Sequence, residues 1–432
     1  MSAFERTTVI EVRAFGVTVG ALAAGAARGA YAFEYSPSWR RRGIELAPLL
    51  MPLDSRTGIF TFPGLPAETF KELPPPIADS LPDRFGNALV DARLAQEGIP
   101  ASAITPLDRL AYLGERGLGA LEFAPATSED GPRPTALDLS ELVIAARNVV
   151  RGNLAADDDE AKRALTQIIN VGTSAGGARA KAVINLDRST GEIRAGHTVP
   201  APGYEAWLLK FDGIGPDQEL GAAQSYGRIE RAYALMAASA GIAVPDTGLI
   251  EENGRAHFIS KRFDRVGAEK LHMQSLCGLA GLDYNARAVH DYSQLFLAAE
   301  AEPLGADTRR EVFRRMVFNV AAANNDDHTK NHSLLMDRSG AWSLAPAYDV
   351  THAHNPKSIW TSQHLMSVNG KFAGAGYKDF IAVAERYDVE GARAIIGDVN
   401  DAIGSWPEFA AAAGVPASAT AEVAADLQPV KR

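Results

Sequence analysis

The sequence has almost no cysteine. Cys277 stands alone in 432 residues, so an intramolecular disulfide and a cysteine-built metal site are both excluded. A reducing cytoplasm is the expected compartment. Basic charge is also short, with 43 Lys and Arg against 53 Asp and Glu and a net charge of −10. That disfavours nucleic-acid binding through a broadly basic surface, which needs phosphate neutralisation. Long apolar runs are missing too. The longest early uncharged run, Ala14 to Ala27, has fourteen residues and contains Gly16, Gly20 and Gly25. A membrane-spanning helix needs about 20 apolar residues. Glu5, Glu11 and Arg13 precede the run, which argues against a signal peptide. No internal repeat is present.

At ~100–200 residues per domain, the length predicts two to four units. Residues 1–125 read as mixed α/β, with strands over Val9–Phe15 and Ala30–Tyr35 and a helix around Gly86–Gln96. Arg40, Arg41 and Arg42 read as a short solvated basic turn. Residues 126–137 are a polar linker by composition. Asp157, Asp158, Asp159 and Glu160 suit a helix N-terminus better than a metal. Beyond about Val415 the chain is rich in Ala and Pro and is expected to be loosely held.

From residue 165 the order of elements carries the information. Asn170–Ala180 is a glycine-rich turn, followed by a strand at Ala182–Leu186 and another at Ala206–Phe211 that holds Lys210. Gln218–Ala240 has helical spacing, with Tyr226, Ile229, Tyr233, Met236 and Ala237 on one face. Strands follow near Gly248–Glu251 and Ala256–Ser260. The remainder reads as mostly helical, with a long helix over Thr308–Ala323, the loop Asn324–His332, and a hairpin over Ser333–Met336 and Ala341–Leu344.

Glycine loop, strand lysine, helix glutamate, hinge, Asp-x4-Asn loop and a further aspartate are the running order of a protein kinase. Each part has a physical task. Phosphoryl transfer mainly needs positioning and charge neutralisation. Glycines let backbone N–H groups approach phosphate, and Gly172, Gly176 and Gly177 suit this, although such a run alone is more often a hairpin turn. Lys210 would pair with phosphates and with Glu230, whose ordinary reading is a solvated helix residue. Asp326 and Asn331 have the kinase spacing. Asp326 would accept the proton of the attacking hydroxyl. Asn331 and Asp349 would hold Mg²⁺, a hard cation content with few protein oxygens. Asp327 competes with Asp326, and spacing favours Asp326. His328, His332, His352 and His354 invite a zinc reading, but His-x3-His aligns ligands only on a helix and the glutamate of His-Glu-x-x-His is absent, so zinc is disfavoured.

At these residues the chain resembles the HipA-type serine/threonine kinases, the toxin halves of bacterial type II toxin–antitoxin pairs. The resemblance rests on GAYAFEYSPSW (29–39), APLLMPL (47–53), LPDRFGNALVDARL (81–94), LDRLAYLGERGLGALEF (107–123), SAGGARAKAVI (174–184), SKRFDR (260–265), NNDDHTKNHSLL (324–335) and LAPAYDV (344–350). It implies an α+β, bilobal protein-kinase-like fold, with an N-terminal α/β subdomain over 1–137, a kinase N-lobe over 138–264, a mostly helical C-lobe over 265–418 and a tail over 419–432.

It also implies roles for residues. Asp326 would be the catalytic proton acceptor, with ATP and Mg²⁺ as cofactors. ATP would be bound by Gly176, Gly177, Ala178, Arg179, Ala180 and Lys181, by Lys210, by the hinge Lys261, Arg262 and Phe263, and by His328, Thr329, Lys330, Asn331, Tyr348 and Asp349. Ser174 would be an autophosphorylation site that switches the enzyme off. The implied partners are a HipB-like helix-turn-helix antitoxin, operator DNA mainly through that antitoxin, and a protein substrate such as an aminoacyl-tRNA synthetase. Lys261 departs from the glutamate common at its position, and the Asp326-Asp327 doublet is not obligatory in the family. Two other readings stay open: a small-molecule phosphotransferase on the same fold, and a non-catalytic corepressor.

Overall fold

A computed structural model describes residues 6–25, 31–56, 58–125, 137, 139–143, 146, 180–196, 199–212, 225–301 and 304–432. The N-terminal unit is built on an antiparallel sheet in the order β4-β3-β2-β1-β5, with β1 at Val9–Ala14, β2 at Val17–Ala24, β3 at Tyr31–Tyr35, β4 at Ile59–Phe60 and β5 at Leu121–Ala124. Ile10, Val12 and Ala14 alternate into its core, as a half-buried strand requires. β2 runs through a stretch expected to be a connection. Its small residues hide the alternation, and Gly20 is required because a Cβ there would lie 2.2 Å from the Glu34 carbonyl oxygen.

Helices α1 (Pro37–Arg42), α2 (Ala67–Phe70), α3 (Pro75–Ala78), α4 (Arg84–Ala95) and α5 (Pro106–Leu113) complete the unit. The three arginines therefore end a helix, where cations favour the macrodipole. They do not form an independent basic turn, and Arg40 donates to the Leu53 carbonyl at 2.7 Å. The acidic run 157–160 and most of the linker 126–137 lie outside the described residues.

The N-lobe sheet has the order β7-β6-β8-β10-β9, from β6 (Lys181–Leu186), β7 (Ile193–Ala195), β8 (Glu205–Lys210), β9 (Thr247–Glu252) and β10 (Arg255–Lys261). Helix α6 (Tyr226–Ser239) packs on it. The contact is close at Gly227, where a Cβ would stand 2.0 Å from the Ala256 carbonyl oxygen. Phe85, Leu89, Val90 and Leu94 of α4 share one core with Trp207, Leu209 and Ile259 of this sheet. The N-terminal unit and the N-lobe are thus welded by apolar burial, the main favourable term in folding.

Several short strands were not anticipated in the C-lobe. β11 (Arg265–Val266) pairs with β12 (Glu269–Lys270), and β13 (His272–Ser275) joins the expected hairpin, β15 (Ser333–Met336) and β16 (Trp342–Leu344). β14 (His290–Asp291) pairs in parallel with β17 (Met366–Ser367). Around them lie α7 (Leu276–Ala280), α8 (Tyr292–Ala301), α9 (Gly305–Ala321), α10 (Tyr377–Arg386), α11 (Ala392–Gly404), α12 (Trp406–Ala412) and α13 (Ala417–Asp426). The expectation of a loosely held tail is not met. Ala419, Val423 and Val430 are buried, Trp406 donates its ring N–H to the Thr420 carbonyl at 3.0 Å, and Asn400 exchanges two hydrogen bonds with Val430. Among the described residues, no helix is long and apolar enough to cross a membrane.

Candidate active site

A cleft lies between the lobes. β8 delivers Lys210 to it. The Lys210 ammonium pairs with the Glu230 carboxylate, brought by α6, and with Asp349 Oδ1. Glu230 is buried, so it is not the solvated helix residue that it would be in isolation. The Lys210 ammonium also lies 5.6 Å from the Phe258 ring centroid. Burial acts to discharge Lys210, yet the two carboxylates outweigh it and hold its pKa above the usual lysine value. Burial likewise opposes charge on Asp349, but Lys210 and Lys181 keep its carboxyl below the ordinary aspartate range. Asp349 has a left-handed backbone, φ +53°, an uncommon state for a residue with a Cβ.

The Asp-x4-Asn loop follows α9. Asn324 donates its amide to the Asn319 carbonyl at 2.9 Å, and Asn325 donates its own to the Ala353 carbonyl at 3.2 Å. A 3₁₀ turn over Thr329–Asn331 lets Asn331 donate its side-chain N–H to the Asp326 carbonyl at 2.7 Å. That bond leaves the Asn331 amide oxygen for a cation. The adjacent aspartates have opposite surroundings. The Asp326 side chain is 48% exposed, with His328 Nε2 at 3.8 Å. Asp327 is buried and accepts from Tyr292 Oη at 2.8 Å, Leu365 N at 2.8 Å, His364 Nδ1 at 3.1 Å and Met366 N at 3.2 Å. Of the two carboxylates, only that of Asp326 is open to solvent.

At the hinge, Lys261 N–H is spent on the Asp246 carbonyl and Arg262 N–H on the Ala206 carbonyl. Phe263 N–H carries no such bond among the described residues. The Arg262 guanidinium does not face the cleft freely: it grips Asp264 at 2.9 and 2.7 Å. The Lys261 ammonium pairs with Glu205. Phe263 and Tyr348 place their rings 5.7 Å apart as an aromatic wall.

Lys210, Glu230, Lys261, Arg262, Phe263, Lys330, Asn331, Tyr348 and Asp349 all line this one cleft. Ala180, Lys181, Asp326, His328 and Thr329 are outside that lining. Thr329 is buried and donates its hydroxyl to the Leu282 carbonyl at 3.0 Å. Gly172, Ser174, Gly176, Gly177, Ala178 and Arg179 lie outside the described residues. The four histidines go to separate partners: His328 to the Tyr284 ring, His332 to the Tyr292 ring, His352 to Asp426, His354 to Asn325. Burial brings His332 down to about 4, so it is neutral near pH 7.

Sequence reasoning missed one wall of the cleft. Asp79, Ser80, Leu81 and Leu118 of the N-terminal unit line it. Asp79 accepts from Ser275 N and Oγ, both at 2.7 Å. The pairing spans 196 positions, so no local pattern signals it.

Two family models cover most of the chain: the HipA N-terminal domain over residues 10–124 and the HipA-like C-terminal domain over residues 173–407. The chain belongs to the HipA family. Its architecture is similar to that of HipA from Shewanella oneidensis, solved with HipB and operator DNA. That likeness has a TM-score of 0.65 and 16% identity, covering 97% of this chain and 95% of that one. At such identity the likeness concerns the fold, here kinase-like and bilobal. A Helicobacter pylori proinflammatory kinase, CtkA, superposes with a TM-score of 0.34 and 13% identity over 52% of this chain and 88% of that one. A Haemophilus influenzae protein whose name calls it a kinase is 28% identical over 140 residues, which is 29% of this chain and 40% of that protein's length.

Proposed function

We propose that the chain is an ATP-dependent serine/threonine protein kinase, the growth-arresting toxin of a cytoplasmic toxin–antitoxin module. One observation carries this reading: the Lys210–Glu230–Asp349 ion triad in the cleft that Asn331 also lines. A lysine fixed by two carboxylates suits a phosphate chain, because it presents charge where a polyphosphate must be neutralised. Asp349 and Asn331 offer one carboxylate and one amide oxygen, a donor set that fits Mg²⁺ with phosphate oxygens. When bound, the cation supplies charge neutralisation on the phosphates. This chain's own groups do the rest. Phe263 and Tyr348 receive the base, Lys210 orients the phosphates, and Asp326 takes the hydroxyl proton of the protein substrate.

The substrate class is a translation protein, an aminoacyl-tRNA synthetase by family resemblance. A HipB-like helix-turn-helix antitoxin is the expected partner and carries most of the operator contact, in keeping with the net charge of −10. Ser174 is the expected site of self-modification, since a phosphate there would repel the phosphates of ATP.

The test is intact-protein mass with peptide mapping after incubation with Mg²⁺ and ATP, for wild type and Asp326→Gln. One added phosphate on Ser174 in wild type alone is the expected result. No phosphate in either, together with no ATP binding by calorimetry, would overturn the reading.

A further inference from the structure

The two residues that flank Asp326 hold one and the same segment. Asn325 donates its backbone N–H to the Ala353 carbonyl at 3.2 Å, and its carbonyl accepts from Leu365 N at 3.3 Å. Its side-chain amide donates to the Thr361 carbonyl at 2.9 Å and lies 3.0 Å from His354 Nδ1. Asp327 accepts from His364 Nδ1, Leu365 N and Met366 N. Both ends of residues 353–366 are therefore tied to the Asp-x4-Asn loop, and residues 355–360 stand out between the ties as a short loop of their own. A chain advances at most about 3.6 Å per residue, so Ile359 lies within about 7 Å of the tie at Thr361.

That loop is braced from within. Ser358 is buried, and its Oγ accepts from Trp360 N at 3.1 Å and Thr361 N at 3.3 Å. Asn355 Oδ1 accepts from Lys357 N at 3.0 Å. Arg287 braces it from outside, donating to the Ile359 carbonyl at 3.1 Å with its guanidinium 5.6 Å from the Trp360 ring centroid. β14 and β17 are parallel, so the chain entering each of them, through 287–289 and through 359–365, arrives at the same end. Two apolar side chains stand in solvent there, Ile359 at 60% and Val289 at 63% exposure. Lys357 and Arg287 are exposed as well, and neither has a carboxylate partner among the described residues. A single exposed isoleucine means little. Apolar side chains rimmed by two uncompensated cations, on a fixed loop beside Asp326, have the composition of a docking surface.

We propose that this loop reads the protein substrate. An apolar residue near the acceptor hydroxyl seats on Ile359 and Val289, and a carboxylate close to it meets Lys357 and Arg287. The inference rests on the protein-kinase reading and adds a substrate class, a serine or threonine with an apolar and an acidic neighbour. Position selects this occupant: a hydroxyl brought to Asp326 carries the flanking residues of its own chain to within a few residues' reach of 357–359. Charge selects it too, because two unpaired cations are complementary to an acidic segment and turn away a basic one. The hydrogen bonds inside the loop fix it before the substrate arrives, so little ordering accompanies binding.

A positional-scanning library of short peptides with a fixed central serine, phosphorylated by the full-length chain with Mg²⁺ and ATP, tests this. Wild type selects an apolar residue at one position and Asp or Glu at another, both within about four residues of the serine. Lys357→Glu turns the acidic choice into a basic one, a change of roughly ten-fold as an exposed attraction becomes a repulsion. Added salt weakens the charge preference and spares the apolar one. On the best peptide, Ile359→Ala raises KM about ten-fold and leaves kcat within about two-fold, the mark of lost binding rather than lost chemistry. The proposal fails if wild type shows no such preference, if Lys357→Glu keeps the wild-type preference, or if Ile359→Ala lowers kcat at an unchanged KM, as a residue that merely props Asp326 would. A wild type that binds ATP by calorimetry yet phosphorylates no peptide also overturns it and leaves the kinase reading standing. One that binds no ATP overturns that reading, and the proposal with it.

Discussion

Asp326 and Asp327 are adjacent and chemically identical, and their surroundings predict opposite consequences of substitution. Asp327→Ala removes an acceptor for four donors in a buried site. A buried donor left without a partner costs about 1–3 kcal/mol. The four losses do not simply add. The Tyr292 hydroxyl still accepts from Asn319 Nδ2 at 2.8 Å but has lost the acceptor of its own proton, while the His364 ring can change tautomer. The Leu365 amide keeps the Asn325 carbonyl at 3.3 Å, whereas the Met366 amide loses the acceptor that Asp327 supplies. The expected cost is about 3–5 kcal/mol, as for breaking a buried charged network. At about 2–4 °C per kcal/mol for a cooperative unit of 150–250 residues, Tm falls by roughly 6–20 °C. Asp326 is half exposed and not part of that network. Asp326→Gln leaves stability within about 0.5 kcal/mol and cuts transfer by roughly 10²–10⁴, the usual worth of a positioned acid/base. Thermal unfolding and single-turnover phosphoryl transfer, measured on both variants, separate the two roles. An Asp327→Ala protein that melts like wild type, or an Asp326→Gln protein that transfers phosphate at the wild-type rate, refutes the reasoning.

Lys210→Met strands Glu230 and Asp349 without their cation and lowers transfer by roughly 10²–10³, the loss typical of one preorganised electrostatic group; a rate within threefold of wild type under saturating ATP would contradict this. Acid should destabilise the C-lobe through two buried histidines. His272 and His332 are each brought from 6.5 down to about 4, chiefly by burial. The unfolded chain binds these protons near pH 6.5 and the folded chain only near 4. Stability is therefore full above about pH 6.5 and falls as pH drops toward 4, by roughly 3 kcal/mol per histidine. Denaturant midpoints taken from pH 7.5 to 4 check this, and replacing either histidine with Phe should flatten the slope. Removing residues 416–432 forfeits the burial of Val423 and Val430, each worth about 1.5–3 kcal/mol when buried; an unchanged Tm would return the tail to the loosely held state its composition suggested.

The parts of the site that could be read in the sequence are those carried by local pattern. Lys210 sits at the end of an apolar strand, Glu230 falls within a 3.6-residue periodicity, and Asp326 and Asn331 keep a fixed interval. Each signal spans one element and survives without knowledge of its neighbours. The tail failed for the opposite reason: its alanines were read as an absence of structure, although Ala is the strongest helix former and Ala419 and Val423 stand one helical turn apart. β2 failed because Gly20 and its alanines answer to Phe33 and Glu34 on the next strand. Asp327 carries no local mark distinguishing it from Asp326. Its partners Tyr292, His364 and Leu365 are 35 to 38 positions away.

The N-terminal unit lines the cleft and holds the elements around it. It grips the C-lobe where Asp79 meets Ser275 and the N-lobe where Asp83 meets Lys181. It grips the hinge where Asp264 accepts from Gly119 N at 2.7 Å. Asp264 is buried, yet Arg262 and Arg265 hold its carboxyl well below the usual aspartate range, and both guanidinium groups also donate to the Gly117 carbonyl. An opening of the cleft that moves the lobes apart must break at least one of these polar contacts. Two of the three contain buried charge, where a broken partnership costs several kcal/mol. Movement of the lobes is therefore coupled to loss of at least one contact of the N-terminal unit.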